Sequence, residues 1–187
     1  MEKVNLGPQT LLYPMPALLV GAMVGGIPNF MTVAWCGIAA SKPPAISVGL
    51  QKERHTLKGI EEQGAFSINV PSVSLAKKVD YCGIYSGKKR DKSKLFEVFY
   101  GVLKTAPLIQ ECPVNLECKV IHSLDLGSHT LLVAEILATY VDRDCITNEK
   151  PDPGKIDPLI YTTGVTQYQR LGDIIGRAFH MGKSGKD

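Results

Sequence analysis

The sequence lacks paired cysteines of the kind that bind metals or form a redox couple. Its five cysteines are an odd number, none forms a Cys-x-x-Cys motif, and they stand at Cys36, Cys82, Cys112, Cys118 and Cys145. This pattern argues against zinc, iron–sulfur and thioredoxin-type sites, and no metal site is predicted. We expect each cysteine to be a small buried hydrophobic side chain in a protein of the reducing cytoplasm.

Two common nucleotide-binding motifs are also missing. No Gly-x-Gly-x-x-Gly motif follows a predicted strand, and the chain has no Gly-x-x-x-x-Gly-Lys-Ser/Thr phosphate loop. The two most frequent nucleotide folds are therefore not expected. Neither a Ser/His/Asp order nor a paired-carboxylate motif is present, so no catalytic side chain is predicted.

Charge and hydropathy argue against two further classes. The formal net charge of +3 is small, and no arginine-rich stripe with interleaved aromatics occurs, so a nucleic-acid partner is not expected. The most apolar stretch, 11–27, is interrupted by Pro14, Pro16 and three glycines. It therefore lacks the roughly 20 continuous apolar residues of a membrane helix and the unbroken apolar region of a signal peptide.

What the sequence does contain is enough apolar material for one globular domain. Its 187 residues are 44% apolar and 21% charged, which fits a single domain spanning 1–187. Breaker residues separate short periodic runs, and Gly25 and Gly26 predict a hairpin turn between the first two strands. Strands are predicted at 17–24, 30–40, 45–50, 65–70, 114–123, 130–142 and 159–163, and helices at 57–63, 73–79 and 95–100.

Strands that occur early, in the middle and late, with short helices between them, favour a mainly β protein. The pattern predicts an antiparallel sheet closed into a small barrel rather than a parallel wound sheet. Residues 81–94 are expected to form a loop and 168–177 an irregular or briefly helical tail, and the end at 181–187 is expected to fray.

The start of the predicted helix at 57–63 suggests an anion site. A helix start presents unpaired backbone N–H groups, Thr56 is the expected cap, and Arg54 adds a guanidinium fork. The loop at 88–94 is strongly basic. One of its lysines could close over the same phosphate, although a solvated surface loop is the alternative.

Residues upstream of this helix suit a flat heteroaromatic ligand. Asn29 and Thr32 offer hydrogen-bonding groups and Trp35 an aromatic surface. Alternatively, Trp35 is an ordinary core aromatic and Asn29 a turn residue. A phosphate site beside a ring site predicts a mononucleotide ligand.

The motifs together resemble those of the flavin reductase-like family, and within it the flavoredoxins, over about residues 10–165, which leaves 166–187 as a C-terminal tail. The resemblance rests on the order of Pro28-Asn29-Phe30-Met31-Thr32-Val33-Ala34-Trp35, Ile46-Ser47-Val48-Gly49-Leu50, Arg54-His55-Thr56, Phe66-Ser67-Ile68-Asn69-Val70-Pro71, Asp80-Tyr81-Cys82-Gly83, Ser86-Gly87, Lys92, Cys112-Pro113-Val114-Asn115-Leu116-Glu117-Cys118 and Gly127-Ser128-His129.

This resemblance implies an antiparallel split β-barrel that binds FMN and forms a homodimer. The flavin ring would lie against residues 29–35, Ala34 included, with contacts from Ser47 and Asn69. The phosphate would lie near Arg54, His55, Thr56, Ser86 and Lys92. His129 would approach the flavin from its own or the partner subunit. Ser128 stands where some relatives carry an acidic residue.

The expected function is an FMN-dependent oxidoreductase of flavoredoxin type, which transfers electrons through bound FMN. NAD(P)H or a redox protein would be the electron donor. Two alternatives stay open from the sequence. One is an NAD(P)H-dependent flavin reductase that releases reduced flavin, and the other is a non-catalytic barrel that binds flavin or haem, with His129 as a possible axial haem ligand.

Overall fold

The computed structural model describes residues 1–183, and the part of the predicted frayed end at 184–187 lies outside the described residues. The strands are β1 (Met15–Pro16), β2 (Leu18–Val24), β3 (Ile27–Val33), β4 (Cys36–Ser41), β5 (Pro44–Gln51), β6 (Ala65–Val70), β7 (Val98–Phe99), β8 (Leu108–Ile109), β9 (Val114–Asp125), β10 (His129–Val141), β11 (Ile146–Thr147), β12 (Lys150–Pro151), β13 (Ile160–Thr162) and β14 (Gln167–Gln169). The α-helices are α1 (His55–Gln63), α2 (Ala76–Ile84) and α3 (Pro153–Ile156), and 3₁₀ turns occur at Val73–Leu75, Arg143–Cys145 and Met181–Lys183.

The predicted mainly β fold with short helices is confirmed. Seven strands form one antiparallel sheet in the order β3-β2-β6-β9-β10-β5-β4. The end strands β3 and β4 are consecutive in the chain, with only Ala34 and Trp35 between them. The chain therefore leaves one end of the strand order and enters the other at these two residues. Within 1–183 no helix has the length and apolarity to span a membrane.

Both faces of β2 are buried, which places it between two cores. Because side chains alternate along a strand, Leu18 and Val20 enter one cluster with Ile60 of α1. Leu19 enters the second cluster with Val79 of α2. The two helices are thus attached to the sheet through different cores, and each fully buried aliphatic side chain contributes about 1.5–3 kcal/mol.

Three predicted elements are corrected by the structure. The run at 95–100 is not a helix, because Val98 and Phe99 pair as β7 with β8. The run at 30–40 divides into β3 and β4. Part of the predicted tail forms β14, which pairs with β13. In each case hydrogen bonding to a strand distant in sequence decided the conformation of a short apolar run, whose periodicity does not distinguish helix from strand.

The predicted loop at 81–94 starts too early. Helix α2 continues to Ile84, because Val79 and Cys82 lie one turn apart and both are buried in the second core. The loop therefore begins only at Tyr85, and the end of α2 is brought close to the start of α1.

The expectation for the cysteines is confirmed for four of the five. Cys82, Cys112, Cys118 and Cys145 are buried, Cys36 is half-buried, and all are free thiols. Burial raises the pKa of the Cys82 thiol to about 11 and that of Cys36 to about 12. Thiols of this kind are protonated near neutral pH and poorly nucleophilic.

Helix α1 packs against β2 so closely that one helical position must be glycine. A Cβ atom at Gly59 would lie 2.2 Å from the carbonyl oxygen of Met23 and 2.8 Å from Cγ2 of Val24. The helix ends at Gly64, whose φ of 64° is left-handed and which confirms the predicted C-terminal cap. These two glycines set the position and length of α1.

We predict that Gly59→Ala destabilises the protein by about 1–3 kcal/mol, since the added methyl group overlaps the backbone of β2. In an exposed helix the same change would stabilise by about 1 kcal/mol. Urea denaturation measures the sign. The matched control is Gly172→Ala, where a Cβ atom would meet no neighbour within 4 Å; a more stable Gly59→Ala protein would contradict the close packing of α1.

Candidate functional site

Two cavities meet beside the start of α1. The smaller one, which we call the cradle, has a volume of about 110 Å³. The larger one, which we call the cleft, has a volume of about 220 Å³. Met31 and Arg54 line both, so a single ligand could occupy the two together.

The guanidinium of Arg54 is held at the junction of the two cavities. Arg54 Nε donates to Oε1 of Gln51 over 2.9 Å, and Nη1 donates to the carbonyl of Gly83 over 3.4 Å. Gln51 is the last residue of β5, and Gly83 lies in the last turn of α2. The guanidinium is therefore preorganised by a strand end and a helix end before any anion binds.

Lys92 supplies a second cation to the cradle. Its side chain is 2% exposed, and its Nζ donates to the carbonyls of Tyr85, over 3.0 Å, and Cys82, over 3.3 Å. Burial lowers the pKa of Lys92, the Cys82 thiol opposes this shift, and Arg54 adds to it. Carbonyls at a helix C-terminus stabilise a cation, so the end of α2 holds this ammonium against the cradle.

Asn29 and Thr56 form a buried link between β3 and α1. Asn29 Nδ2 donates to Oγ1 of Thr56 over 2.7 Å, and the two residues are 6% and 1% exposed. The predicted role of Thr56 as the helix cap is therefore wrong. Arg54 occupies the cap position, without a side-chain cap hydrogen bond, and the threonine hydroxyl accepts from Asn29 instead.

The wall of the cradle requires a glycine. A Cβ atom at Gly87 would lie 2.2 Å from Oδ1 of Asn29 and 2.7 Å from Cδ2 of His55. Beside this contact, Nδ1 of His55 is buried without a hydrogen-bond partner among the described residues. Burial lowers the pKa of His55, and nearby lysines lower it further. A buried polar atom left unpaired costs about 1–3 kcal/mol, which fits a position completed by a ligand.

The cleft has an aromatic wall. Trp35 is 40% exposed, and its ring centroid lies 4.6 Å from that of His129. Nδ1 of His129 is 2.8 Å from the hydroxyl of Ser128, and His129 pairs with Gln51 across the sheet. In this structure His129 therefore lies in the cleft of its own subunit.

The predicted site residues fall into three groups. Five line the cradle, namely Arg54, His55, Thr56, Ser86 and Lys92. Four line the cleft, namely Thr32, Ala34, Trp35 and His129. Asn29 contacts the cradle wall through Gly87, whereas Ser47 and Asn69 are placed elsewhere.

Ser47 and Asn69 do not reach either cavity. Ser47 lines a separate cavity on the other side of Trp35. Asn69 is fully buried, and its amide makes hydrogen bonds with Leu19, Ser67, Ile109 and Asn115. An asparagine with two donated and two accepted bonds has no further capacity for a ligand.

Sequence reasoning missed three residues of the site. Gln51 and Gly87 lie next to predicted residues, and the Ser86-Gly87 pair carried a local signal that the chain approaches closely there. Tyr161 lines the cleft from β13, about a hundred residues away in the chain. Local sequence carried no signal for this last contact.

Comparison with known proteins is consistent with this geometry. The family model described as flavin reductase like domain matches residues 10–171. The structure is similar to flavoredoxin from Methanosarcina acetivorans, with a TM-score of 0.96 and 44% identity over 98% of this chain and 99% of that one. It is also similar to flavoredoxin of Desulfovibrio vulgaris (Miyazaki F), with a TM-score of 0.90 and 38% identity over 97% of this chain and 100% of that one. A ferric-chelate reductase (NAD(P)H) from Archaeoglobus fulgidus is 35% identical over 107 residues, which are 56% of this chain and 62% of that protein.

We predict that Asn29 and Thr56 are energetically coupled. A double-mutant cycle of Asn29→Ala and Thr56→Val, followed by urea denaturation, should give a coupling free energy of about 1 kcal/mol, the usual net value of one hydrogen bond. A threonine that acted only as a helix cap would not depend on Asn29. Additivity of the two changes within about 0.3–0.5 kcal/mol would contradict the link.

Proposed function

The chain belongs to the flavin reductase-like family, and we propose on that premise that it is an FMN-binding oxidoreductase of flavoredoxin type, which transfers electrons through the bound flavin. The observation that carries the proposal is the junction of a small cationic cavity with a larger cavity that has an aromatic wall, both lined by Arg54. This arrangement suits a phosphate and a flat ring joined in one molecule.

The cradle has the donor set that a phosphate monoester requires. Arg54 would present a guanidinium fork and Lys92 an ammonium, while the first N–H groups of α1 lie at a helix N-terminus, which favours anions. The unpaired Nδ1 of His55 and the absence of a side chain at Gly87 leave a polar wall with room for the group. The residues present therefore fit FMN.

The cleft would hold the flavin ring. When bound, FMN supplies the redox chemistry, and the protein binds and orients it. Trp35 and His129 offer ring faces, and Ala34 adds a small side chain that lets the backbone come close. The Thr32 hydroxyl donates to the carbonyl of Val79, so Thr32 would contribute its methyl group and backbone rather than its hydroxyl.

Preorganisation of the cations favours retention of the flavin over its release. Arg54 and Lys92 are each held by two hydrogen bonds to the protein, so little side-chain entropy remains to be lost on binding. This supports an electron carrier more than a reductase that exchanges its flavin as a substrate. The donor, NAD(P)H or a redox protein, and the cytoplasmic location stay predictions.

We predict that Arg54→Ala weakens FMN binding by about 10- to 100-fold, since a hydrogen bond to a charged group contributes about 1.5–3 kcal/mol. Riboflavin, which has the ring but no phosphate, should bind the variant and the wild-type protein equally well. Quenching of flavin fluorescence measures both affinities.

The matched control is Arg143→Ala, which removes an exposed arginine at 143–145 and should leave both affinities unchanged. Equal losses for FMN and riboflavin in Arg54→Ala would contradict the assignment of the cradle to the phosphate. A wild-type protein that binds neither flavin would overturn the proposed function.

We also propose that the protein acts as a homodimer. A cavity of about 580 Å³ is lined by the N-terminal residues 9–12 together with Trp35 and Ser47. Large apolar side chains stand exposed beside it, with Leu12 68% and Ile38 71% exposed. Exposed apolar clusters of this kind are typical of protein interfaces, and two-fold dimers are the commonest oligomers.

Light scattering should therefore give twice the 20.3 kDa mass of one chain. We expect Ile38→Asp to weaken the dimer by tenfold or more, since a buried unpaired charge is costly, whereas Ile38→Val should have little effect. A monomeric wild-type protein would contradict the dimer and leave the FMN proposal to be tested separately.

A further inference from the structure

A third cavity adjoins the cradle on the side away from the cleft. This cavity, which we call the basic groove, has a volume of about 230 Å³. It lies between the β2–β3 turn and the loop at 87–92, and it meets the cradle at His55, Gly87 and Lys92. A ligand that extends beyond the cradle at this point would enter the groove.

The two walls of the basic groove differ in chemistry. The wall from the β2–β3 turn is apolar and consists of Val24, Ile27 and Pro28. The opposite wall is cationic and consists of Lys88, Lys89 and Arg90, all exposed. An apolar surface facing a row of cations suits a ligand with a flat ring on one side and anionic groups on the other.

The cations of this wall have no carboxylate partner within residues 1–183. None of the ion pairs in that part of the chain involves Lys88, Lys89 or Arg90. Asp91 also lines the groove, but its Oδ1 accepts from the backbone N–H of Ser93 over 2.8 Å. The wall therefore keeps an excess of positive charge.

The positive potential is felt where the groove meets the cradle. Burial is the largest cause of the lowered pKa of His55, followed by Lys88, Lys58 and Lys92, whose charges disfavour the protonated imidazole. These lysines come from the loop at 87–92 and from α1. Their combined charge favours an anion at the junction beyond the one that the cradle itself would hold.

The volumes also favour an extended ligand. The cradle, at about 110 Å³, and the basic groove, at about 230 Å³, are each smaller than the roughly 300 Å³ of an ordinary small-molecule site. Together they reach that size. A phosphate monoester would use the cradle and leave the groove to another group.

We propose that the basic groove is a second phosphate subsite, which binds an adenosine joined through a pyrophosphate, with the phosphate on the cationic wall and the base against the apolar wall. The inference rests on the proposed function, because it takes the cradle as the site of the flavin phosphate. The adenosine comes either from the flavin itself, as in FAD, or from a separate nucleotide such as ADP that binds beside FMN.

The test compares the affinities of FMN and FAD in the wild-type protein and in the triple variant Lys88→Ala, Lys89→Ala, Arg90→Ala. Flavin fluorescence at about 0.15 M ionic strength limits long-range charge effects. We expect the triple variant to lose about tenfold or more in FAD affinity, since three exposed charge contacts are removed, and less than threefold in FMN affinity.

The matched control removes three exposed lysines far from the groove in sequence, Lys42→Ala, Lys119→Ala and Lys150→Ala. It changes the net charge equally and should leave the ratio of the FAD and FMN affinities unchanged. An equal loss for both flavins in the groove variant would overturn the subsite, because the loop would then provide only a general positive field.

Calorimetry with ADP identifies the source of the adenosine. Binding of ADP to FMN-saturated protein that is lost in the groove variant supports the subsite with a separate nucleotide as its ligand. A selective FAD effect without ADP binding supports the subsite with the flavin as its source. If neither occurs, or if the groove binds polyglutamate and no nucleotide, the proposal is wrong, whereas FMN binding by the wild-type protein would still support the proposed function.

Discussion

The hydrogen bond from Asn29 to Thr56 joins the two elements on which the site depends. It ties strand β3 to the first turn of α1, and both partners are buried. Because α1 is also pressed against β2 at Gly59, the helix start has little freedom to move. Arg54 and His55 precede or open this turn, so their position follows from the same contact. The cradle therefore inherits the rigidity of the barrel rather than that of its loops.

Positive charge is concentrated at this rigid junction at some cost to the protein without a ligand. Arg54 and Lys92 lie close enough for the guanidinium to lower the pKa of the ammonium, and His55 has a buried nitrogen without a partner among the described residues. Such groups destabilise a folded protein unless an anion joins them. Anion binding would recover this free energy, so the same residues that weaken the apo protein would make its stability depend on ligand concentration.

Local patterns were sufficient for most of the sheet. The strands at 45–50 and 65–70 and the hairpin of β9 and β10 were visible as alternating runs between breakers, and Gly64 marked the end of α1. The failures have one cause. Residues 95–100 form a strand because β8 pairs with them, and Thr56 accepts from a residue of another element. Asn69, expected at the flavin, completes a buried hydrogen-bond network with Ser67 and Asn115.

The sequence by itself determined the family, the mainly β architecture and most of the residues of the cradle, because motif order and short-range periodicity are properties of local chain segments. The tertiary structure alone decided that Lys92 turns inward while Lys88 and Lys89 stay exposed, that Asn69 lies in the core, and that Tyr161 reaches the cleft. Burial and hydrogen bonding between distant segments depend on how the sheet and helices pack. No local pattern carries that information, since identical residue types in one basic loop end in different surroundings.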